Sequence, residues 1–330
     1  MISPNLPAEL QAALARKAEG LSRNDAAQRA GAISQTYRSG GGSARIKTST
    51  DALAYALARM PATYAAIAAS LNALIEVTPE FAPQSLLDIG AGPGTATWTA
   101  AEAFASLCAF TLLDANVALR DLAIDLAQSN PHLTSMRYEP GDARKLLADA
   151  PEADFVVASY VINELNDAER RTLTDAMWAK TRDTLLVVEP GTPAGYARII
   201  ELRARLIAAG AHVIAPCPHD GQCPLKTPDW CHFSQRLSRS RAHKHLKGAD
   251  LPYEDEKFSY VALSRMPVAQ RPARVLAQPQ TTKIAVTAKI CAADGVATVS
   301  VPHRDKDGYK RAKKRNWGDA VFRDERSTPE

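Results

Sequence analysis

Residues 1–80 carry alanine-rich stretches whose apolar positions recur at helical spacing, which predicts a helical N-terminal region. Its most apolar part, AYALARMPATYAAIAASLNALI, contains Arg59 and Pro61, which predicts an interrupted helix rather than a membrane span. The run RSGGGSAR, Arg38 to Arg45, predicts a loop because its glycines disfavour a helix. From residue 85 the period changes. SLLDIG, AFTLLD, ADFVVASY and TLLVVE are apolar runs of strand length, alternating with helical stretches such as TATWTAAEAFASL, NVALRDLAIDLAQS and DAERRTLTDAMWAKT. That alternation predicts an α/β fold with a parallel sheet covered by helices on both faces. Residues 194–210 read as a further amphipathic helix ending at Gly210.

Beyond Gly210 the period dissolves. Residues 212–235 are rich in Pro, Cys, His and Asp, and predict a segment folded around something other than a large apolar core. Residues 257–266 and 281–301 read as strands, the second a pair turned at Asp294-Gly295. The expected organisation is a helical region over 1–80, an α/β domain over 81–210, a cysteine-rich basic module over 211–320 and a disordered tail over 321–330.

Charge is unevenly spread. Residues 201–330 hold 23 Lys and Arg against 14 Asp and Glu, a local +9, whereas residues 1–200 carry −5. A basic half joined to an acidic one is a pattern of nucleic-acid binders. The N-terminus has early acidic residues, no continuous apolar core and none of the Arg-rich, acid-poor character of a transit peptide. The expectation is a cytoplasmic protein that meets no membrane and forms no stable homo-oligomer. In a reducing compartment, clustered cysteines point to metal or redox chemistry rather than disulfides.

The run Leu86-Leu87-Asp88-Ile89-Gly90-Ala91-Gly92-Pro93-Gly94 follows a buried-strand pattern and opens a helix. Its glycines allow a sharp turn and close backbone approach to a ligand. Asp114, 20 positions beyond Gly94, ends the next strand, where a carboxylate can accept both hydroxyls of a ribose. LLDIGAGPG resembles the first motif of class I S-adenosylmethionine-dependent methyltransferases. The resemblance implies that Asp88, Gly90, Gly92 and Gly94 form the cofactor loop and that Asp114 holds the ribose. It further implies Asp142 near the adenine, and Ser159 and Tyr160 facing the pocket. No catalytic residue is legible: the segment after the fourth strand reads Ser159-Tyr160-Val161-Ile162-Asn163-Glu164, without an Asn-Pro-Pro-aromatic run or a nucleophilic cysteine. Glu164 or Asn163 could orient a substrate amine, but each of them, and Glu189 just after the fifth strand, is expected to be a helix-start or loop residue.

Of five cysteines, Cys108 lies in the apolar stretch SLCAFTLLD and reads as core packing. Cys217, Cys223, Cys231 and Cys291 are spaced C-x5-C-x7-C-x59-C. Structural zinc sites favour tight cysteine pairs, and these wider gaps suit a bulkier iron–sulfur cluster, while His219 and His232 keep a mixed Cys/His zinc site open. CPHDGQCPL, DWCHFSQR and the later Trp317-Gly318-Asp319 resemble the methyltransferase-like small-ribosomal-subunit assembly family, from about residue 35 to 320. By that resemblance the four cysteines hold a 4Fe–4S cluster. The implied function is assembly of the small ribosomal subunit by binding its ribosomal RNA, with a bacterial-type member expected. An active ribosomal RNA methyltransferase and a zinc-stabilised RNA-binding protein are the alternatives.

Two basic runs flank the cysteines. One carries Arg236, Arg239, Arg241 and Lys244, the other Lys310, Arg311, Lys313, Lys314 and Arg315. Such clusters attract phosphate backbones, and Tyr309 or Trp317 could stack on a base. Folding around the metal is expected to bring the two runs together.

Overall fold

The computed structural model describes residues 1–38, 41–239, 241–248 and 250–322. The N-terminal region forms helices α1 (Ala8–Lys17), α2 (Arg23–Arg38) and α3 (Ser49–Val77). A capping box starts α3: the Asp51 backbone N–H donates to Thr48 Oγ1 at 3.1 Å, and Asp51 accepts from the Thr48 N–H at 3.0 Å. The helix runs unbroken through Pro61, contrary to the expected interruption. An interior proline costs about 3 kcal/mol. Burial of Ala52, Ala56, Ala62, Ala66, Ile67, Leu71 and Leu74 against the rest of the protein offsets that cost. By length and composition α3 could cross a membrane, but most of its apolar window is buried inside the fold.

The main sheet contains β1 (Ser85–Ile89), β2 (Ala109–Asp114), β3 (Arg137–Pro140), β4 (Ala153–Ser159), β5 (Thr181–Pro190), β6 (His212–Ala215), β7 (Phe233–Ser238) and β8 (Tyr253–Ser264). Its order is β3-β2-β1-β4-β5-β8-β6, with β7 also pairing β8. β1 to β5 are mutually parallel, and β8 runs antiparallel to β5, β6 and β7. Side chains alternate across it, as strand geometry requires. Leu86, Phe155, Val157, Leu186 and Val188 join the core beneath α3, α4 (Thr95–Ala103) and α5 (Val117–Ala127). Leu87, Ile89, Val156, Ala158, Leu185 and Val187 join the core beneath α6 (Ala143–Asp149), α7 (Asp167–Ala179) and α8 (Pro193–Ala208). This is a doubly covered mixed α/β sheet of the class I methyltransferase type.

The expected break at 210/211 runs through this sheet. Residues 212–235, read as irregular, supply β6 and the start of β7. Those strands are specified by pairing with the long β8 rather than by a period of their own. Helix α9 (Arg241–Lys247) lies between β7 and β8 in the chain. Only then comes a separate five-stranded sheet: β9 (Ala273–Val275), β10 (Gln280–Thr281), β11 (Ala285–Ala292), β12 (Gly295–Pro302) and β13 (Ala320–Val321), with α10 (Lys306–Ala312) against β11 and β12.

Three further expectations change. In the β11–β12 hairpin Ala292 pairs with Gly295, so the turn residues are Ala293-Asp294, one position earlier than read. Cys108 is exposed, not core: it precedes the first residue of β2, and its thiol lies 3.4 Å from the Gln84 carbonyl oxygen. Val321, placed in the tail, is buried and pairs with Ala273, while residues 323–330 lie outside the described residues.

Candidate functional site

Strand β1 ends in a turn that only glycine accommodates without strain: Gly90, Gly92 and Gly94 have φ of 67°, 54° and 78°. A Cβ on Gly90 would stand 2.4 Å from Val161 Cγ2, whereas one on Gly92 would meet nothing closer than Leu119 Cδ1 at 3.9 Å. Asp88 lies beneath the turn, fully buried. Its Oδ2 accepts from the Thr97 N–H and hydroxyl at 3.1 and 2.8 Å, and its Oδ1 has no partner among the described residues. Burial pushes the Asp88 carboxyl up to about 7, with the Thr97 bonds opposing. Asp114, at the end of β2, accepts from the Gly92 N–H at 2.9 Å and the Asn116 N–H at 2.7 Å. Tyr138 donates its hydroxyl to the Gly92 carbonyl at 2.7 Å, so the turn is held from both sides.

These residues open on a cavity of about 340 Å³ that brings together Gly90, Gly92, Asp114, Asp142, Ser159 and Tyr160. Asp88 and Gly94 support the turn from behind. Asp142 caps α6 and is gripped by Arg144, whose Nε and Nη2 reach it at 2.9 and 2.6 Å; that guanidinium holds its carboxyl below the usual range. Tyr160, the one non-glycine with positive φ among the described residues (57°), donates its hydroxyl to Glu256 Oε1 at 3.0 Å. Strain of that kind at the rim of a pocket is a common mark of a working site.

Sequence reasoning missed the far wall. Tyr37, Ser43, Tyr55 and Thr63 come from the helical region and close the cavity over the glycine turn. Tyr37 and Tyr55 stack at 5.6 Å. The glycine-rich segment, expected as a loop, makes a 3-10 turn over Gly42–Arg45, and Ser39 and Gly40 lie outside the described residues. Gly42 (φ 52°) approaches Glu164 so closely that a Cβ there would lie 2.3 Å from its Oε2. Burial, then the Asp114 carboxylate, pushes Glu164 up to about 7, although part of its side chain faces solvent. Glu164 thus sits in the cavity wall, on a short turn after β4. Glu189 lies within β5 rather than after it, buried against Arg198 at 3.1 Å.

Cys217, Cys223 and Cys231, from the connection between β6 and β7, line one cavity together with Cys291 of β11. All four are free thiols. Cys231 is anchored by the Ser259 hydroxyl donating to its carbonyl at 2.8 Å, and Cys291 by the β9–β11 ladder. The Tyr196 hydroxyl lies 3.1 Å from Cys223 Sγ. Burial raises the thiols of Cys217, Cys231 and Cys291, the last to about 12, and neighbouring cysteines add to it. Among the described residues no three His, Cys, Asp or Glu side chains converge tightly enough to hold a metal ion. His219 and His232 do not line the cavity. His232 is instead packed between Trp230 and Trp317, at 4.9 and 4.7 Å between ring centres.

The basic runs divide. Arg236 pairs with Asp255 at 2.8 Å and lies over the Tyr253 ring; Arg239 pairs with Glu254 at 3.3 Å; Lys244 donates to the Asp250 carbonyl at 3.3 Å. The Arg241 side chain lies outside the described residues. Lys310, Arg311, Lys313 and Lys314, on and after α10, are exposed and form no ion pair among the described residues; Arg315 follows at the same end. Tyr309 and Trp317 are already engaged, through the Thr282 carbonyl at 2.6 Å and the His232 carbonyl at 2.9 Å.

A glycine turn at the end of β1, facing a carboxylate at the end of β2 in a sheet of this order, defines a methyltransferase-type domain. This chain adds to it a cavity of four cysteines. The chain belongs to the family described as mitochondrial small ribosomal subunit Rsm22, whose model matches residues 49–322. It is 30% identical over 300 residues to the mitochondrial ribosome assembly protein METTL17 of Homo sapiens, covering 82% of this chain and 62% of that protein. It is 25% identical over 253 residues to the mitochondrial Rsm22-cox11 tandem protein 2 of Schizosaccharomyces pombe, covering 68% of this chain and 33% of that one. The chain therefore spans less than two thirds of either relative. These relatives overturn the expected cytoplasmic location and point to the mitochondrion. Among solved structures, magnesium protoporphyrin IX methyltransferase of Synechocystis PCC 6803 is 10% identical, covering 70% of this chain and 90% of that one, with a TM-score of 0.40. Precorrin-6y C5,15-methyltransferase of Geobacter metallireducens is 12% identical, covering 58% and 84%, with a TM-score of 0.39. Likenesses at that level carry no argument; strand order and the glycine turn define the fold.

Proposed function

We propose that this chain is a small-subunit ribosome assembly factor that binds ribosomal RNA through a surface organised by a 4Fe–4S cluster. The convergence of Cys217, Cys223, Cys231 and Cys291 on one cavity carries the reading. Four soft donors, three from the β6–β7 connection and one from β11, with no disulfide between them, suit a cluster whose irons each take one thiolate. Cys291 ties β11 to the main sheet's cysteines, and β11 carries β12 and the exposed cations of α10. The cluster is thus a staple between the α/β domain and the RNA-facing sheet. The test compares wild type with Cys231→Ser: loss of salt-sensitive affinity for small-subunit RNA is expected. A variant that keeps both its fold and that affinity rules out an organising role for the cluster.

S-adenosylmethionine fits the other cavity. The open approach at Gly92 and the acceptor carboxylate of Asp114, both lining the cavity, suit the ribose hydroxyls of the cofactor, with Asp88 supporting the turn from behind. Gly90, Gly92 and Gly94 would shape the loop, Asp114 would hold the ribose, Asp142 would border the adenine, and Ser159 with Tyr160 would close the pocket. When bound, the cofactor supplies an electrophilic methyl group. One observation favours an active ribosomal RNA methyltransferase as the second reading: Glu164 lines the cavity beside Tyr160 and Val161, where a carboxyl raised by burial and by Asp114 suits proton transfer from an acceptor. Labelled methyl transfer to isolated small subunits, abolished by Glu164→Gln, would support it; no transfer by wild type would leave a binding role alone.

A further inference from the structure

Two arginines are buried in the wall of the cysteine cavity. Arg203, on α8, is 3% exposed and Arg274, in β9, is 2% exposed. Arg203 donates Nη2 to the His219 carbonyl at 2.6 Å and forms no ion pair among the described residues. Arg274 donates Nη1 to the Gly318 carbonyl at 3.0 Å and meets Glu76 Oε2, on the far side, at 3.3 Å. The Nε of each is buried with no hydrogen-bond partner. Both arginines stand next to the cysteines. Arg203 lies beside Cys217, and Arg274 is the ladder partner of Cys291.

A buried guanidinium with spare N–H groups is costly unless an anion faces it. No aspartate or glutamate lines this cavity among the described residues. Glu76 meets Arg274 from outside the cavity, but the anion for Arg203 has to come from the sulfurs. Four thiolates around a core of charge +2 leave a net charge of −2, which Arg203 offsets by one unit and Arg274, shared with Glu76, offsets further in part. We infer that Arg203 and Arg274 are charge-compensating residues for an anionic four-thiolate centre, supplying positive charge and N–H donors to its sulfur atoms. This rests on the proposal that the cavity holds such a centre. It explains why a cavity lined by Ile199, Ile200, Leu225 and Val261 tolerates Arg203, which forms no ion pair among the described residues, beside Arg274. It also predicts that the arginines favour the reduced centre, because one added electron deepens the charge they face.

The test uses the full chain, purified anaerobically as wild type, Arg203→Met, Arg203→Lys and Arg274→Lys. Metal and sulfide per chain are measured before and after a chelator challenge, the midpoint potential is read by reductive titration, and thermal unfolding is followed on metal-stripped samples. Arg203→Met is expected to lose metal at least tenfold faster, with Arg203→Lys and Arg274→Lys closer to wild type. Its reduction equilibrium should fall about tenfold, or about 59 mV for one electron. Stripped Arg203→Met should melt no lower than stripped wild type, since it has shed an unpaired buried cation. Equal metal retention in Arg203→Met and wild type overturns the inference, as does equal loss of stability with and without metal. If wild type carries zinc without sulfide, the cluster reading fails and chelator resistance alone decides for or against the arginines. If wild type carries no metal, both fall.

Discussion

Gly92→Ala separates binding from folding. Gly92 has φ 54°, and an alanine in that left-handed region costs about 1–2 kcal/mol. No collision adds to this, because the nearest atom to the new methyl is Leu119 Cδ1 at 3.9 Å. For a chain of this size the expected loss is a few degrees in melting temperature, about 2–4 °C per kcal/mol. The methyl is added to a residue that lines the cavity together with Leu119 and Asp114, where the cofactor would lie against the backbone. Affinity for S-adenosylmethionine should fall at least tenfold, about 1.4 kcal/mol or more. Gly90→Ala is the control. Its Cβ would press to 2.4 Å from Val161, so overpacking of about 1–3 kcal/mol adds to the same backbone cost and folding suffers with binding. Isothermal titration calorimetry with S-adenosylmethionine and thermal unfolding without it measure the two effects. If Gly92→Ala binds as tightly as wild type, or melts as low as Gly90→Ala, the assignment of the cavity is wrong.

Other outcomes follow from the same structure. Replacing Lys310, Arg311, Lys313 and Lys314 with alanine should weaken RNA binding and flatten its dependence on log salt by about 3, at roughly 0.7 for each phosphate no longer neutralised; Arg236→Ala, whose charge is already spent on Asp255, should change that slope far less. Unchanged slopes in filter binding between about 50 and 200 mM salt would clear α10 of the role. Asp88 has its folded-state value raised from an ordinary 3.8 to about 7, so the folded protein holds this proton more tightly than the unfolded chain does. Its contribution is fully present below 3.8 and is lost as pH rises towards 7, at up to about 1.4 kcal/mol per pH unit. Denaturant unfolding of the cofactor-free protein at pH 5 and 7 should show that loss in wild type and not in Asp88→Asn; parallel slopes in the two proteins would contradict it. Tyr160→Phe should cost about 1–2 kcal/mol by leaving the Glu256 carboxylate one donor short, measured by the same unfolding.

What was legible in the chain was local. Asp88 to Gly94 and Asp114 are readable because a tight turn, its helix and the next strand lie within 30 residues and obey one period. The four cysteines are readable because thiols are scarce and no other side chain replaces them. Tyr37, Ser43, Tyr55 and Thr63 were hidden because tertiary packing of α2 and α3, not local pattern, carries them to the glycine turn. β6 and β7 were hidden because β8, which pairs with both, follows them in the chain. Arg236 and Arg239 read as free charge because Asp255 and Glu254 face them only across the β7–β8 ladder. Cys108 read as core because its neighbours are apolar, yet it falls just outside the strand.

Iron and acid-labile sulfide analysis of the anaerobically purified chain decides whether a cluster organises the RNA-binding surface. Iron and sulfide are expected in equal amounts, about four of each per chain, in a brown protein absorbing near about 400 nm. One zinc per chain without sulfide, in a protein that still binds RNA, would contradict it.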